Sequence, residues 1–143
     1  MAIAKQAFYE GAALYQLICA TTHANIIYEM PFFRVNRRRT LYLKFTTKGR
    51  SPWGFSVSAE EQALLFEEST KTSLYLGLVC GADGVAALAY ESFAEVASLR
   101  NASVHIACYR RHGEHYEING PDGTLSRKVP PSSWQHILNN GSK

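Results

Sequence analysis

The chain has 143 residues, 46% of them hydrophobic and 12% aromatic, which suits one domain with a buried core and excludes a disordered chain. The cysteines Cys19, Cys80 and Cys108 show no CxxC spacing; they exclude a disulfide frame and read as buried free thiols in a reducing compartment. The net charge of +3 is not spread evenly: residues 34–50 hold seven basic residues and no acid, while the remainder carries eight basic against twelve acidic residues.

No run approaches the ~20 apolar residues of a membrane span, and MAIAKQAFYEG lacks a leader pattern, so a cytoplasmic protein is expected. Residues 4–20 read as a helix whose apolar face is lined by Ala7, Gly11, Leu14 and Ile18. Phe8, Tyr15 and Cys19 widen that face; Lys5, Tyr9 and Gln16 point away, and Glu10 lies at its edge. NIIYEMPFFRV, residues 25–35, reads as a strand interrupted at Pro31, followed by a turn at 36–39. Residues 40–47 alternate, with Leu41, Leu43 and Phe45 on one face and Tyr42, Lys44 and Thr46 on the other. The turn at 48–52 ends this strand, and 53–58 begins the next, with Trp53 on an exposed-looking turn.

Ser58 followed by Glu61 is a capping box for a helix running to Glu68. LYLGLVC, residues 74–80, is apolar enough for a central strand buried on both faces, and 85–90 returns beside it. Ser92 and Glu95 offer a second capping box for a helix to Leu99. The remainder is β-rich: 104–109, a turn through Arg111, His112 and Gly113, then 115–119 and 124–129, with a last helical turn at 132–138. The order α-β-β-β-α-β-β-α-β-β-β is that of a single α+β domain around a central mixed sheet.

A helix carrying a glutamate, three meandering strands, a helix and another strand, over residues 4 to about 90, resembles the core of the PD-(D/E)xK nucleases, the restriction-endonuclease-like superfamily. The resemblance implies a Mg²⁺-dependent site. It matches Glu10 to the helical acid, Glu29 to the first strand acid and Lys44 to the motif lysine, with Glu10 and Glu29 as metal ligands and Thr46 and Gln62 in support. Carboxylates hold Mg²⁺ through hard oxygens, the metal activates water, and the lysine compensates developing charge. Tyr42 departs from the pattern, because the motif acid belongs two residues before the lysine and a phenol does not replace it at neutral pH. This implies impaired or absent catalysis, or an active nuclease whose acid has migrated to Glu60, Glu61 or Glu68 on the next helix. In a purely structural reading, Glu10 pairs with a nearby cation, Glu29 pairs with Arg34 or Arg38, and Lys44 faces solvent.

Nucleic acid is the anionic partner that the basic stretch suggests, through Arg37, Arg38, Arg39, Lys48, Arg50 and Trp53. Tyr28, Phe32, Phe33 and Tyr42 interleave with those cations and offer stacking surfaces. An alternative is a protein-interaction or homo-oligomerising domain, in which the basic segment meets Glu60, Glu61, Glu67 and Glu68 of another copy. His105 and His115 fall on strands that flank one turn, beside Glu117 and Cys108, but without metal-ligand spacing. GxSxG, P-loop and GxGxxG motifs are absent, so no nucleotide cofactor is expected.

Overall fold

The computed structural model describes residues 2–21, 23–111 and 113–138; His112 of the expected turn lies outside them. Helix α1, Lys5–Ala20, contains only two charged residues, Lys5 and Glu10. It buries Ala13 and Leu17 and half-buries Tyr9 and Leu14, while Phe8, Tyr15 and Ile18 stay exposed. Of the stripe expected to face the core, Ala7, Gly11 and Ile18 face outward and only Leu14 packs inward. Apolar residues lie on both sides of this helix, so periodicity alone does not say which side is covered. Cys19 is likewise exposed, while Cys80 and Cys108 are buried free thiols.

The strand expected over residues 25–35 is two strands, β1 (Ile26–Glu29) and β2 (Phe32–Val35), folded back at Met30 and Pro31. β3, Arg39–Thr46, pairs antiparallel with β2 after a turn in which Asn36 and Arg37 adopt positive φ. β3 then pairs in parallel with β5, Ser73–Cys80, and β5 pairs antiparallel with β6, Gly84–Ala89. The parallel pairing needs a crossover, which α2 (Ala59–Ser69) supplies. The five strands form a mixed sheet in the order β1-β2-β3-β5-β6.

β4, Trp53–Val57, does not extend this sheet. It pairs with β7 (Val104–Tyr109), which continues to β8 (Glu117–Gly120) and the two-residue β9 (Gly123–Thr124). The strand expected at 124–129 is reduced to that short piece and a single bridge between Tyr116 and Val129. α3, Tyr90–Val96, starts before Ser92 and has no side-chain cap, so the second capping box is not formed. α4 is a single turn, Ser133–His136.

The larger core lies between one face of the five-stranded sheet and the β4-β7-β8-β9 sheet, with α2 and α3 closing it; Leu76, Leu78, Trp53, Phe55, Leu65, Phe93, Ile106 and Ile118 are buried there. The opposite sheet face buries Val35, Leu41, Leu43, Val79 and Val85 under α1 and α4. Trp134 locks those two helices together by donating its indole N–H to Ala13 O at 2.9 Å. At the far end of β3 the chain closes on Gly81 (φ +54°): a Cβ there would sit 2.3 Å from Lys48 O, so only glycine fits.

Candidate functional site

Positions 61, 65 and 68 line one face of α2, and that face covers the Tyr42 side of β3. Leu65 is fully buried between the two carboxylates. Glu61 Oε2 accepts from Tyr42 Oη and from Lys44 Nζ at 2.8 Å. Its Oε1 accepts the Ser58 amide at 2.9 Å, completing the capping box with the Glu61 N–H to Ser58 Oγ bond at 3.1 Å. About two turns further on, Glu68 accepts from Arg34 Nη1 at 2.5 Å and from Thr40 and Thr72 Oγ1, each at 2.9 Å. Arg34 also donates to Glu29 and lies over the Phe32 ring.

These contacts set the ionisation of the cluster. Burial pushes the Glu61 carboxyl up, but Lys44, Tyr42 and the Ser58 amide outweigh it and hold the group below the usual range. The Arg34 guanidinium, opposed by burial and helped by Thr72 and Thr40, does the same for Glu68. Burial and the hydrogen bond to Glu61 push the Tyr42 phenol up, so it stays protonated at neutral pH.

The residues expected to form a nuclease site do not assemble as one. Glu29 sits at the outer strand, held by Arg34. Glu10 belongs to α1, which packs on the Leu41–Leu43 face, opposite Lys44. It accepts from Gln6 Nε2 at 2.9 Å and borders an apolar groove shared with Leu14, Tyr28 and Phe33. Burial raises its carboxyl. Next to Tyr42 across the β2–β3 pair stands Phe32, its ring centroid 5.8 Å away and edge-on. An aromatic ring, Tyr42, therefore occupies the strand position where the motif acid would stand, with a second ring, Phe32, packed against it, and Glu61 has its oxygens engaged by three donors. This donor set does not fit Mg²⁺, which demands an octahedron of free oxygens. Among the described residues, no three His, Cys, Asp or Glu groups gather around a metal-sized space, including the His105 and His115 strands. Gln62 is structural, bridging Val57 O, Ala102 O and the Arg100 amide.

The basic segment is divided by β3. Arg37 and Arg38 are exposed at its start, and Lys48 and Arg50 beyond its end, roughly 25 Å away at the usual strand rise. Arg39 is only 8% exposed, lies against the Tyr75 ring and leaves Nη1 without a hydrogen-bond partner. Trp53 is 2% exposed, donates to Lys48 O at 3.0 Å and packs on Tyr116, so neither Arg39 nor Trp53 is available at the surface. The acidic face proposed for another copy is also diminished, because Glu61 and Glu68 are occupied within the chain.

No family model, curated protein or solved structure matches this chain. The chemistry of the surface rests on its own side chains. At the Lys48–Arg50 end, the turn after β7 joins the basic residues: Ser51 Oγ donates to Arg110 O at 3.2 Å. A cleft of about 420 Å³ opens there between Tyr109, Arg111, His115 and Lys128, with Glu114 and Glu117 on its wall. Arg110 is tied to Asp83 at 2.8 Å, whereas Lys48, Arg50, Arg111 and Lys128 form no ion pair among the described residues. Arg111 and Lys128 were not legible as neighbours of this loop, because about 60 residues or more separate them from it in the chain and only the second sheet brings them to the cleft that Ser51 shares.

Proposed function

We propose that this chain is a nucleic-acid-binding domain on a nuclease-like frame, without hydrolytic activity. The frame reading is supported by α1, the β1–β2–β3 meander and the α2 crossover to β5, while β4, the third strand of the expected meander, belongs to the second sheet. The loss of catalysis rests on Tyr42 at the motif-acid position, with Phe32 packed edge-on against it, and on Glu61 being tied up by Lys44, Tyr42 and the Ser58 amide. The observation that carries the binding reading is an open cleft lined by Arg111 and Lys128 and bordered through Ser51 by the exposed Lys48–Arg50 turn, four cations that form no ion pair among the described residues. Cations in such a cleft neutralise phosphates and release counterions, and Tyr109 at the rim offers a ring for a base.

Fluorescence anisotropy with single- and double-stranded oligonucleotides tests this. The combined Lys48→Ala, Arg50→Ala and Arg111→Ala variant is expected to bind weakly and to flatten the log–log salt slope by about 2–3. Arg37→Ala with Arg38→Ala should alter affinity much less. Unchanged affinity in the first variant would overturn the reading. No cleavage is expected with Mg²⁺ or Mn²⁺. Cleavage abolished by Glu61→Gln would instead favour a carboxylate moved onto α2, a reading to which the 2.8 Å Lys44 contact lends support.

A further inference from the structure

We infer that the outward face of α1 is a self-association surface, on which the α1 helices of two copies of this chain pack antiparallel. Phe8, Tyr15 and Ile18 are 61, 68 and 54% exposed and lie, with Gly11 between them, at the 3/4 spacing of a single stripe. No charged side chain interrupts the stripe, and none of the described residues covers it. A helix apolar on both sides is one that is buried on both sides. With Ile3 before the helix and Tyr28 across the adjacent groove, these residues expose roughly 600 Å² of largely apolar surface per copy, at the lower end of what one side of a specific interface buries.

Gly11 points to the occupant. It sits mid-helix, where glycine is unfavourable relative to alanine, yet a Cβ at this position would meet nothing within 4 Å. Packing within one chain gives no reason for a glycine there; the close approach of a second backbone or a large ring does. An antiparallel copy supplies that ring from its own stripe. In the register that sets Phe8 against Ile18 of the other copy, Tyr15 lies over Gly11 of the other copy, and each large residue meets a smaller one. The same register brings Lys5 beside the C-cap Thr21 of the other helix. Neither end of α1 has a compensating charge of its own, with no acid in the first turn and no base in the last. Antiparallel pairing thus puts a cation at each negative helix end and opposes the two dipoles. The two-fold operation uses the same patch on both copies, as a closed dimer requires.

Sedimentation equilibrium over a 1–200 µM range tests the surface and the orientation together. The wild-type chain should sediment as a dimer that dissociates on dilution. Gly11→Arg, Phe8→Lys and Ile18→Glu should each raise the dimer dissociation constant by about 100-fold or more, because each buries an unpaired charge. Circular dichroism should show an unchanged fold, since all three sites are exposed in the single chain. Mixing Phe8→Lys with Ile18→Glu should restore a dimer, as the antiparallel register pairs the new charges once and keeps one wild-type Phe8–Ile18 layer; a parallel pair would not recover. A monomeric wild type, or variants that stay dimeric, would overturn the surface, and failure of the mixture would overturn the orientation.

Discussion

Glu61 is bound by three donors at once, drawn from two elements: Ser58 at the start of α2, and Tyr42 and Lys44 on β3. Removing its charge leaves the half-buried Lys44 with no carboxylate partner among the described residues. Glu61→Gln is therefore expected to lower unfolding stability by about 2 kcal/mol, in the range for breaking a partly buried, charge-assisted contact. Urea unfolding checks this, and a change within about 0.5 kcal/mol would mean that the cluster is solvated and contributes little. The direction of Lys44 was legible from the Leu41–Leu43–Phe45 alternation, and Arg34 was one of two partners weighed for Glu29. The identity of the group over Lys44 was not, because alternation assigns a face but not what covers it.

At the scale of elements, α2 is where local sequence and tertiary role agree. Its Ser58–Glu61 box fixes the start of the helix, and the same Glu61 side chain seats the helix on β3. Ser58→Ala should cost about 1 kcal/mol, as loss of an N-cap usually does, and shift the urea midpoint without changing the slope. A changed slope would mean that α2 frays as a unit. The other elements were legible in proportion to how local their determinants are. β3, β5 and β7 follow from alternation or an apolar run. β4 also follows, but its partner does not: a five-residue strand pairs equally well with either sheet until β7 claims it. For α1 the position was legible and the buried side was reversed, because Tyr15 and Ile18 are as apolar as Ala13 and Leu17. The box at Ser92 failed because the helix begins directly from β6 at Tyr90.

Over the whole molecule, the sequence segregates charge along the chain and the fold redistributes it in space. Arg34, Arg39 and Lys44 are absorbed into the interior or into ion pairs, and the remaining cations separate to the two ends of β3, one of which gains Arg111 and Lys128. The same redistribution makes stability depend on pH. Glu68, held by Arg34, and Glu61, with its three donors outweighing burial, have folded-state carboxyl groups below their ordinary value of 4.5. The Ser98 amide and Arg100 bring Asp122 down to about 2. Depressed carboxyl groups stabilise the fold above the unfolded-state value and lose that contribution as pH falls through the folded one. Glu10 works in the opposite sense, because burial raises its carboxyl and its ionisation above the ordinary value weakens the fold. Three depressed groups against one raised group predict stability that is level near neutrality and declines from about pH 4.5 towards pH 2. Urea midpoints measured across that range check the prediction. Glu68→Gln should be less stable than wild type at pH 7 and converge with it in acid, because the protonated wild-type carboxyl has lost the same ion pair. Glu10→Gln should be more stable at pH 7 and converge likewise. Parallel pH profiles in all three proteins would show that the Arg34–Glu68 contact and the burial of Glu10 do not carry the pH dependence.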